Sequence, residues 1–487
     1  LTIATGTKNQ VVTGTLTRHT LTLSGYNLAA RVVGFAGVVL MTRILGVAEY
    51  GRLAVAYAYW GLFALVAEAG LEVTIIREVG AAHAQVTQYI GNAMLLRGVY
   101  CAGLYLLALA ILPMLDYDPH TADLARMALL MLFCSPLVLT RTVMLVGLEI
   151  PVVARLDMIA QLLTVVAVVM ALGTGGQAMQ ILQWQLGATL LAQVGYIQAA
   201  WRRLPTPRTF HIDWHLWRLL IRHAMPILIT SLLTQAQIHT TRLIIAYMLQ
   251  PNDVAIYSVA NNLTLSVNML SSLYFSVAYP HLIRQANVSP QAYERLARNS
   301  FRLMLTMAMP LSLLIALSSS ALIVIYAGAN FLAAAPLLTV MAFSIVGYFM
   351  SATLYHLLLA AGQQRILPWV ALVLAGVQTG LLVLLLPRVG GIGAVVATLA
   401  MYGVSLLIYL AIPTSRSSVL LGLREVVRPA LATLLVAAWA LLAQPRPLLL
   451  WVIGPIIYGL TLAALYGPAT MRQVWQKIRV SLPYYHP

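Results

Sequence analysis

The chain has 487 residues, 61% of them hydrophobic and 9% charged, with a mean hydropathy of +0.87. That balance excludes a soluble globular fold, and continuous rather than alternating apolar runs exclude a transmembrane β-barrel; what is left is an all-α polytopic membrane protein. The formal charge of +16 would signal nucleic acid in a soluble chain, but in a membrane chain it reads as Lys and Arg gathered in cytoplasmic loops, with no nucleic-acid partner.

Residues 1–20 are polar and lack the apolar core of a cleavable signal peptide, so they read as a cytoplasmic tail with the first span as the targeting signal. Two apolar runs then flank a tight turn at Gly46, Tyr50 and Gly51. Hydropathy predicts about fourteen spans in all, the first centred near Gly34 and the last near Ile457. The expected organisation is a six-helix bundle over 21–201 and a basic cytoplasmic linker over 202–222. A second six-helix bundle follows over 223–413, then an extra helix pair over 414–466 and a cytoplasmic tail over 467–487. With the N-terminus inside, about 21 Lys and Arg fall in cytoplasmic segments and about 5 outside, as the positive-inside rule requires. Arg31, Arg97 and Arg242 lie within spans. The linker carries His211, Trp214, His215, Trp217 and Arg218, which suit a helix at the headgroup level. Cys101 and Cys134 both fall in apolar runs, so no disulfide framework is expected.

The two bundles read as a repeat. Leu45 and Gly46 parallel Leu249 and Gln250, Gly147 parallels Gly362, and Gly175 parallels Gly390, at offsets of about 204 to 215 residues. Six spans per copy bring both copies in from the same side. The result is a parallel pseudo-twofold repeat around a central cavity, an arrangement suited to alternating access.

Polar residues inside spans are the candidates for function, because a charge near the bilayer centre costs roughly 2.5–3.5 kcal/mol on insertion scales. Ser231, Gln235, His239 and Arg242 share one side of the seventh span, and Asn27 and Arg31 share a side of the first; Ser258, Asn261 and Asn268 form a weaker stripe in the eighth. A cavity lined by Arg, His and amides suits an anionic group, since the guanidinium fork matches phosphate oxygens. The competing structural reading pairs each arginine with a buried carboxylate or carbonyl as glue between helices. Glu68, Glu72 and Asp157 sit near cytoplasmic ends of spans, Asp157 with Gln161 one turn on. Glu68 and Asp157 are the candidates for binding a coupling proton or cation, against the alternative of ion pairs with Arg77 or Arg155. Asp116, Tyr117 and Asp118 spell a D-x-D in a short outer loop with no nucleotide fold around it, so a solvated loop is expected. No metal spacing, Walker sequence or Ser-His-Asp arrangement is present, and neither a cofactor nor enzymatic chemistry is expected.

The hairpin Leu45, Gly46…Tyr50, Gly51 followed by Glu68, Ala69, Gly70, Leu71 and Arg77, Glu78 resembles the opening of bacterial oligosaccharide flippases. These form the polysaccharide-transporter (Wzx-type) branch of the multidrug/oligosaccharidyl-lipid/polysaccharide exporter superfamily. Ala224, Met225, Pro226, then Tyr279, Pro280, then Ala360, Ala361, Gly362, and finally Leu386, Pro387, Arg388 continue the likeness in order. The resemblance implies translocation of an undecaprenyl-pyrophosphate-linked oligosaccharide to the periplasmic leaflet of the inner membrane, with both termini cytoplasmic. Membrane lipids and other polysaccharide-assembly proteins would be its partners. It makes Arg31 and Arg242 the partners of pyrophosphate or sugar acid, and Gln235, His239, Asn27 and Asn261 the glycan contacts. Tyr57, Trp60 and Tyr257 would be stacking surfaces. Members of the family often place a carboxylate beside the arginine of the seventh span. Here His239, Thr240, Thr241 and Arg242 hold that place, so ion coupling is not carried over to it. The extra helix pair is analogous to the lipid-tail groove of lipid II flippases. A cation-coupled multidrug antiporter of the same fold would prefer an acidic cavity. A membrane glycan polymerase or ligase would carry a large outer loop, which this chain lacks.

Overall fold

A chain crossing hydrocarbon has no water to satisfy its backbone, so its peptide groups must bond within each segment. The computed structural model describes residues 4–68, 70–79, 86–147, 149–204 and 210–466, and every regular element among them is helical. In chain order these are α1 (Ala4–Glu68), α2 (Leu71–Val79), α3 (Val86–Ile111), α4 (Pro119–Leu129), α5 (Ser135–Val138), α6 (Thr140–Val146), α7 (Ile150–Gly173), α8 (Ala178–Trp201) and α9 (Trp214–Met248). They continue as α10 (Pro251–Val288), α11 (Pro290–Leu317), α12 (Ser319–Ala327), α13 (Ala335–Met341), α14 (Ser344–Ala360), α15 (Leu367–Val389), α16 (Gly391–Ala411), α17 (Pro413–Ala443) and α18 (Pro447–Tyr466).

Nine helical segments among the described residues are long and apolar enough to cross a membrane, or ten when the bent pair Ala329–Met341 and Ser344–Ala360 counts as one. They hold every expected span centre except Gly187, Leu233 and Leu265, which lie in α8, α9 and α10. α8 and α10 are long enough but too rich in amides and hydroxyls to qualify on apolarity, and much of α9 carries side chains outside those the structure describes, so a count of fourteen is not established.

Contacts divide the chain into two units. The first comprises residues 1–258 with 326–331, and α1 is its central helix. The expected turn is a kink at Gly46, where φ is 71° and ψ is −179°, a region open essentially to glycine alone. One turn on, Gly51 lies so close to α10 that a Cβ there would collide with the Pro251 carbonyl oxygen. Gly51 thus meets the start of α10 at Pro251 and Ala255. Past the kink, Leu53, Ala54, Val55, Ala56, Ala58, Tyr59 and Phe63 are buried, and the Tyr59 hydroxyl donates to the Ala108 carbonyl at 2.6 Å. A second cluster, including Leu71, Ile75, Ile90, Leu139 and Leu220, packs α2, α3 and α6 against α9. The linker is tied down by an amide clamp: Asn92 Oδ1 accepts from the Asp213 N–H and from Trp217 Nε1, both at 2.9 Å.

The second unit comprises residues 259–325 and 332–487, and α11 and α17 pack side by side at its centre. A Cβ at Gly422 would come within 2.8 Å of the Phe301 ring, so the two helices approach closely there. Arg302 grips Glu425 through both Nε (3.0 Å) and Nη2 (3.3 Å). The last helix is held by Trp451 Nε1 donating to Ser318 Oγ at 3.0 Å and by Tyr458 donating to the Thr306 carbonyl at 3.0 Å.

Candidate functional site

The polar side chains of α7 and α8 meet inside the first unit. Asp157, Gln161 and Thr164 lie on one side of α7, and Gln185, Thr189, Gln193 and Tyr196 on one side of α8. Two cavities of about 290 Å³ each run along them. Gln161, Thr164 and Thr189 line both, so a polar seam of side chains borders the two cavities. Tyr57 and Trp60 of α1 line one end and Arg141 of α6 the other. Gly34 leaves room for the Gln161 amide, whose nitrogen would lie 2.9 Å from a Cβ at that position.

The charged end of the seam is a fixed network. Arg141 Nη2 lies 3.2 Å from Asp157 Oδ2, and Nη1 lies 4.0 Å from Glu72. The Tyr196 hydroxyl donates to the other oxygen of Asp157 at 2.5 Å. At the far end the Tyr57 hydroxyl donates to Gln185, which is itself buried. A seam that offers a carboxylate, a guanidinium, amides and hydroxyls in an apolar surround can hold a polyhydroxylated group through many directional bonds.

The predicted residues fare unequally. Tyr57 and Trp60 line the seam, and Asp157 sits at its charged end, held by Arg141 rather than by Arg77 or Arg155. His239 is half-buried and its ring presses on Gly61, one residue from Trp60, filling the space a Cβ would need. Arg242 is half-buried three residues further along α9. Tyr257 is buried in the first unit, Asn261 is half-buried in the second, and Glu68 is exposed at the end of α1. The side chains of Asn27, Arg31 and Gln235 lie outside those the structure describes.

Sequence reasoning missed the partners. By hydropathy Arg141 belongs to a loop, and nothing in that reading groups the amides of α8. Their spacing at 185, 189, 193 and 196 is the signal that reveals the stripe. Arg97, one of the three in-span arginines, sits near the middle of α3 at 3% exposure, and its Nε finds no hydrogen-bond partner among the described residues. The D-x-D motif resolves into a helix cap. Asp118 accepts from the Thr121 N–H (3.1 Å) and hydroxyl (2.5 Å), with Arg52 Nε at 3.5 Å. Burial alone would raise this carboxyl, but those hydrogen bonds, with Arg52 and His120, hold it below the ordinary carboxylate range. No group of three or more His, Cys, Asp and Glu able to hold a metal occurs among the described residues.

A family model described as polysaccharide biosynthesis protein matches residues 16–286. The chain belongs to that family. Three solved structures share the fold of this family member. The lipid II flippase MurJ, in an inward closed conformation, superposes with a TM-score of 0.77 at 13% identity over 91% of this chain and 98% of its own. An inward-facing multidrug resistance MATE family transporter of the MOP superfamily gives 0.61 at 14% identity, over 82% and 96%. The Vibrio cholerae MATE transporter VcmN, in a mutant form, gives 0.56 at 13%, over 85% and 97%. No curated protein matches by sequence. At such identities the likeness speaks to the fold alone, that of MOP superfamily transporters.

Proposed function

We propose that this chain is a flippase that carries an undecaprenyl-pyrophosphate-linked oligosaccharide from the cytoplasmic to the periplasmic leaflet of a bacterial inner membrane by alternating access. The observation that carries the reading is the polar seam of α7 and α8, built inside an apolar helical unit of a polysaccharide biosynthesis family member. The substrate is amphipathic, with a polar glycan, an anionic pyrophosphate and an apolar tail. The amides and hydroxyls of the seam, with Tyr57, Trp60, His239, Gln235, Asn27 and Asn261, meet the glycan. Arg31 and Arg242 bind the pyrophosphate. Arg97, an in-span cation without a carboxylate partner among the described residues, joins them. Asp157 is the coupling group: a proton there weakens its hold on Arg141, since an ion pair is replaced by an ordinary hydrogen bond. Glu68, exposed and outside the network, is the weaker candidate.

The test is the pool of lipid-linked oligosaccharide in cells depleted of this protein. Wild type restores clearance from the cytoplasmic leaflet. Arg31→Ala, Arg242→Ala and Asp157→Asn, at normal expression, slow it by about tenfold or more, the worth of one charge-assisted hydrogen bond. Arg242→Lys retains part of it. The second reading, a cation-coupled multidrug antiporter, draws on the MATE likeness. An unchanged lipid-linked pool together with new sensitivity to cationic drugs would establish it instead.

A further inference from the structure

A cavity of about 620 Å³ opens in the second unit between the first turns of α11 and α17. It is within the size range of small-molecule sites, about 300–1,000 Å³. Its polar lining is Tyr293, Glu294 and Arg298 on one wall and Ser417, Ser418, Arg424 and Glu425 on the other. The lining is formally balanced, two carboxylates against two guanidiniums, but both carboxylates are already engaged. Glu294 is engaged by Arg298 at 3.2 Å, and Glu425 is engaged by Arg302, which stands outside the lining. Tyr293 donates its hydroxyl to the Leu357 carbonyl at 2.8 Å. Arg424 makes no ion pair or hydrogen bond among the described residues, and it is exposed. The space therefore keeps one uncommitted guanidinium, two hydroxyls and a shared second guanidinium.

The walls are held in place before any ligand arrives. Phe301 against Gly422 fixes the helix approach, and the Arg302–Glu425 fork lies one turn further in. The Tyr466 ring sits between Arg302 (5.0 Å) and Arg428 (4.7 Å) and ties α18 to the pair. The level is also defined. On α11 the charges run from Glu294 to Arg302 and then stop, and on α17 they stop after Arg428; both helices are uncharged from there on. A charged-to-apolar boundary on two adjacent helices marks the membrane surface, and Leu420 and Leu421 line the cavity beside it.

We propose that this cavity binds the phosphate headgroup of an anionic membrane phospholipid. Arg424 is the principal contact, Ser417 and Ser418 supply hydroxyl donors, and the acyl chains run past Leu420 and Leu421. The site stands apart from the seam of the first unit and does not depend on the transport reading.

The experiment is equilibrium binding to the purified full-length protein in neutral detergent. Short-chain phosphatidylglycerol, short-chain phosphatidylcholine and inorganic pyrophosphate are titrated separately. Wild type binds phosphatidylglycerol at least about tenfold more tightly than either of the others, the preference falling as salt rises. Arg424→Ala abolishes the preference, Arg424→Lys keeps at least half of it, and Arg416→Ala, outside the lining, leaves it unchanged. Monodisperse elution and an unchanged melting temperature for Arg424→Ala separate lost binding from lost fold, and Ser417→Ala with Ser418→Ala gives a second, milder weakening should that variant misfold. Equal affinity for both lipids, or an undiminished preference in Arg424→Ala and the serine double variant, overturns the site. Pyrophosphate bound as tightly as the lipid overturns the lipid assignment.

Discussion

Asp157, Arg97 and Asp118 show how charged residues take different roles by their surroundings. Asp157 shares a helix with Arg155, yet Arg155 turns back on its own helix, Nε donating to the Pro151 carbonyl at 3.3 Å, and Arg141 from another helix takes the carboxylate. A sequence displays near neighbours along one helix and hides those across a packing interface. Arg97 is visible in the sequence as an in-span charge, but its lack of a carboxylate partner among the described residues is not. Asp118 lies outside the spans and gives a pH prediction. Its folded pKa is depressed, so the cap adds stability above the unfolded carboxylate value of about 3.9. That increment disappears as pH falls through the lower folded value. Asp118→Asn keeps a cap acceptor but loses the charge. Thermal unfolding should show the variant below wild type at pH 7, with the gap closing below about pH 4; a gap that persists unchanged at about pH 3 would remove the charge from the explanation.

At the scale of elements, the turn at Gly46 to Gly51 is the most constrained segment of the first unit. The sequence marks both glycines, and the structure gives each a separate cause: backbone conformation at Gly46, contact with Pro251 at Gly51. Gly51→Ala forces its Cβ into a carbonyl oxygen, and neither backbone can yield alone. The expected cost is about 1–3 kcal/mol or more. Gly46→Ala must hold a conformation that costs about 1–3 kcal/mol for a side-chain-bearing residue. Both variants should melt earlier and give less monodisperse protein in detergent. Gly187→Ala, in α8 with open space around it, should melt no earlier than wild type. The amide-rich α8 carries a related lesson: a helix that lines a polar seam scores poorly on hydropathy because its side chains serve that seam rather than lipid.

The described residues are helical and divide into two units, and charge placement predicts the orientation of the chain. In a background with the buried Cys101 and Cys134 replaced by Ala, a cysteine at exposed Asp116 should react with an impermeant maleimide in intact spheroplasts. One at exposed Asn287 should react only after permeabilisation. The reverse pattern would invert the topology and place the anionic-lipid cavity on the other leaflet. Of the extra pair, α17 and α18 pack on α11 within the second unit.

Composition, run length and charge placement were enough to determine an all-helical membrane chain, the positions of most of its spans and the glycine turn, because hydrocarbon constrains backbone and charge locally, residue by residue. The ordered motifs also pointed to a polysaccharide family, and the chain belongs to the polysaccharide biosynthesis protein family. The tertiary structure alone decided which polar residues share a space: that Asp157 meets Arg141 and Tyr196, that Gln185 meets Tyr57, and that Arg302 meets Glu425. Those pairings join different helices, neighbours in the chain for Asp157 and distant ones for Tyr57 with Gln185 and Arg302 with Glu425. Their partners are set by which faces turn toward one another when helices pack, and no local period records that choice.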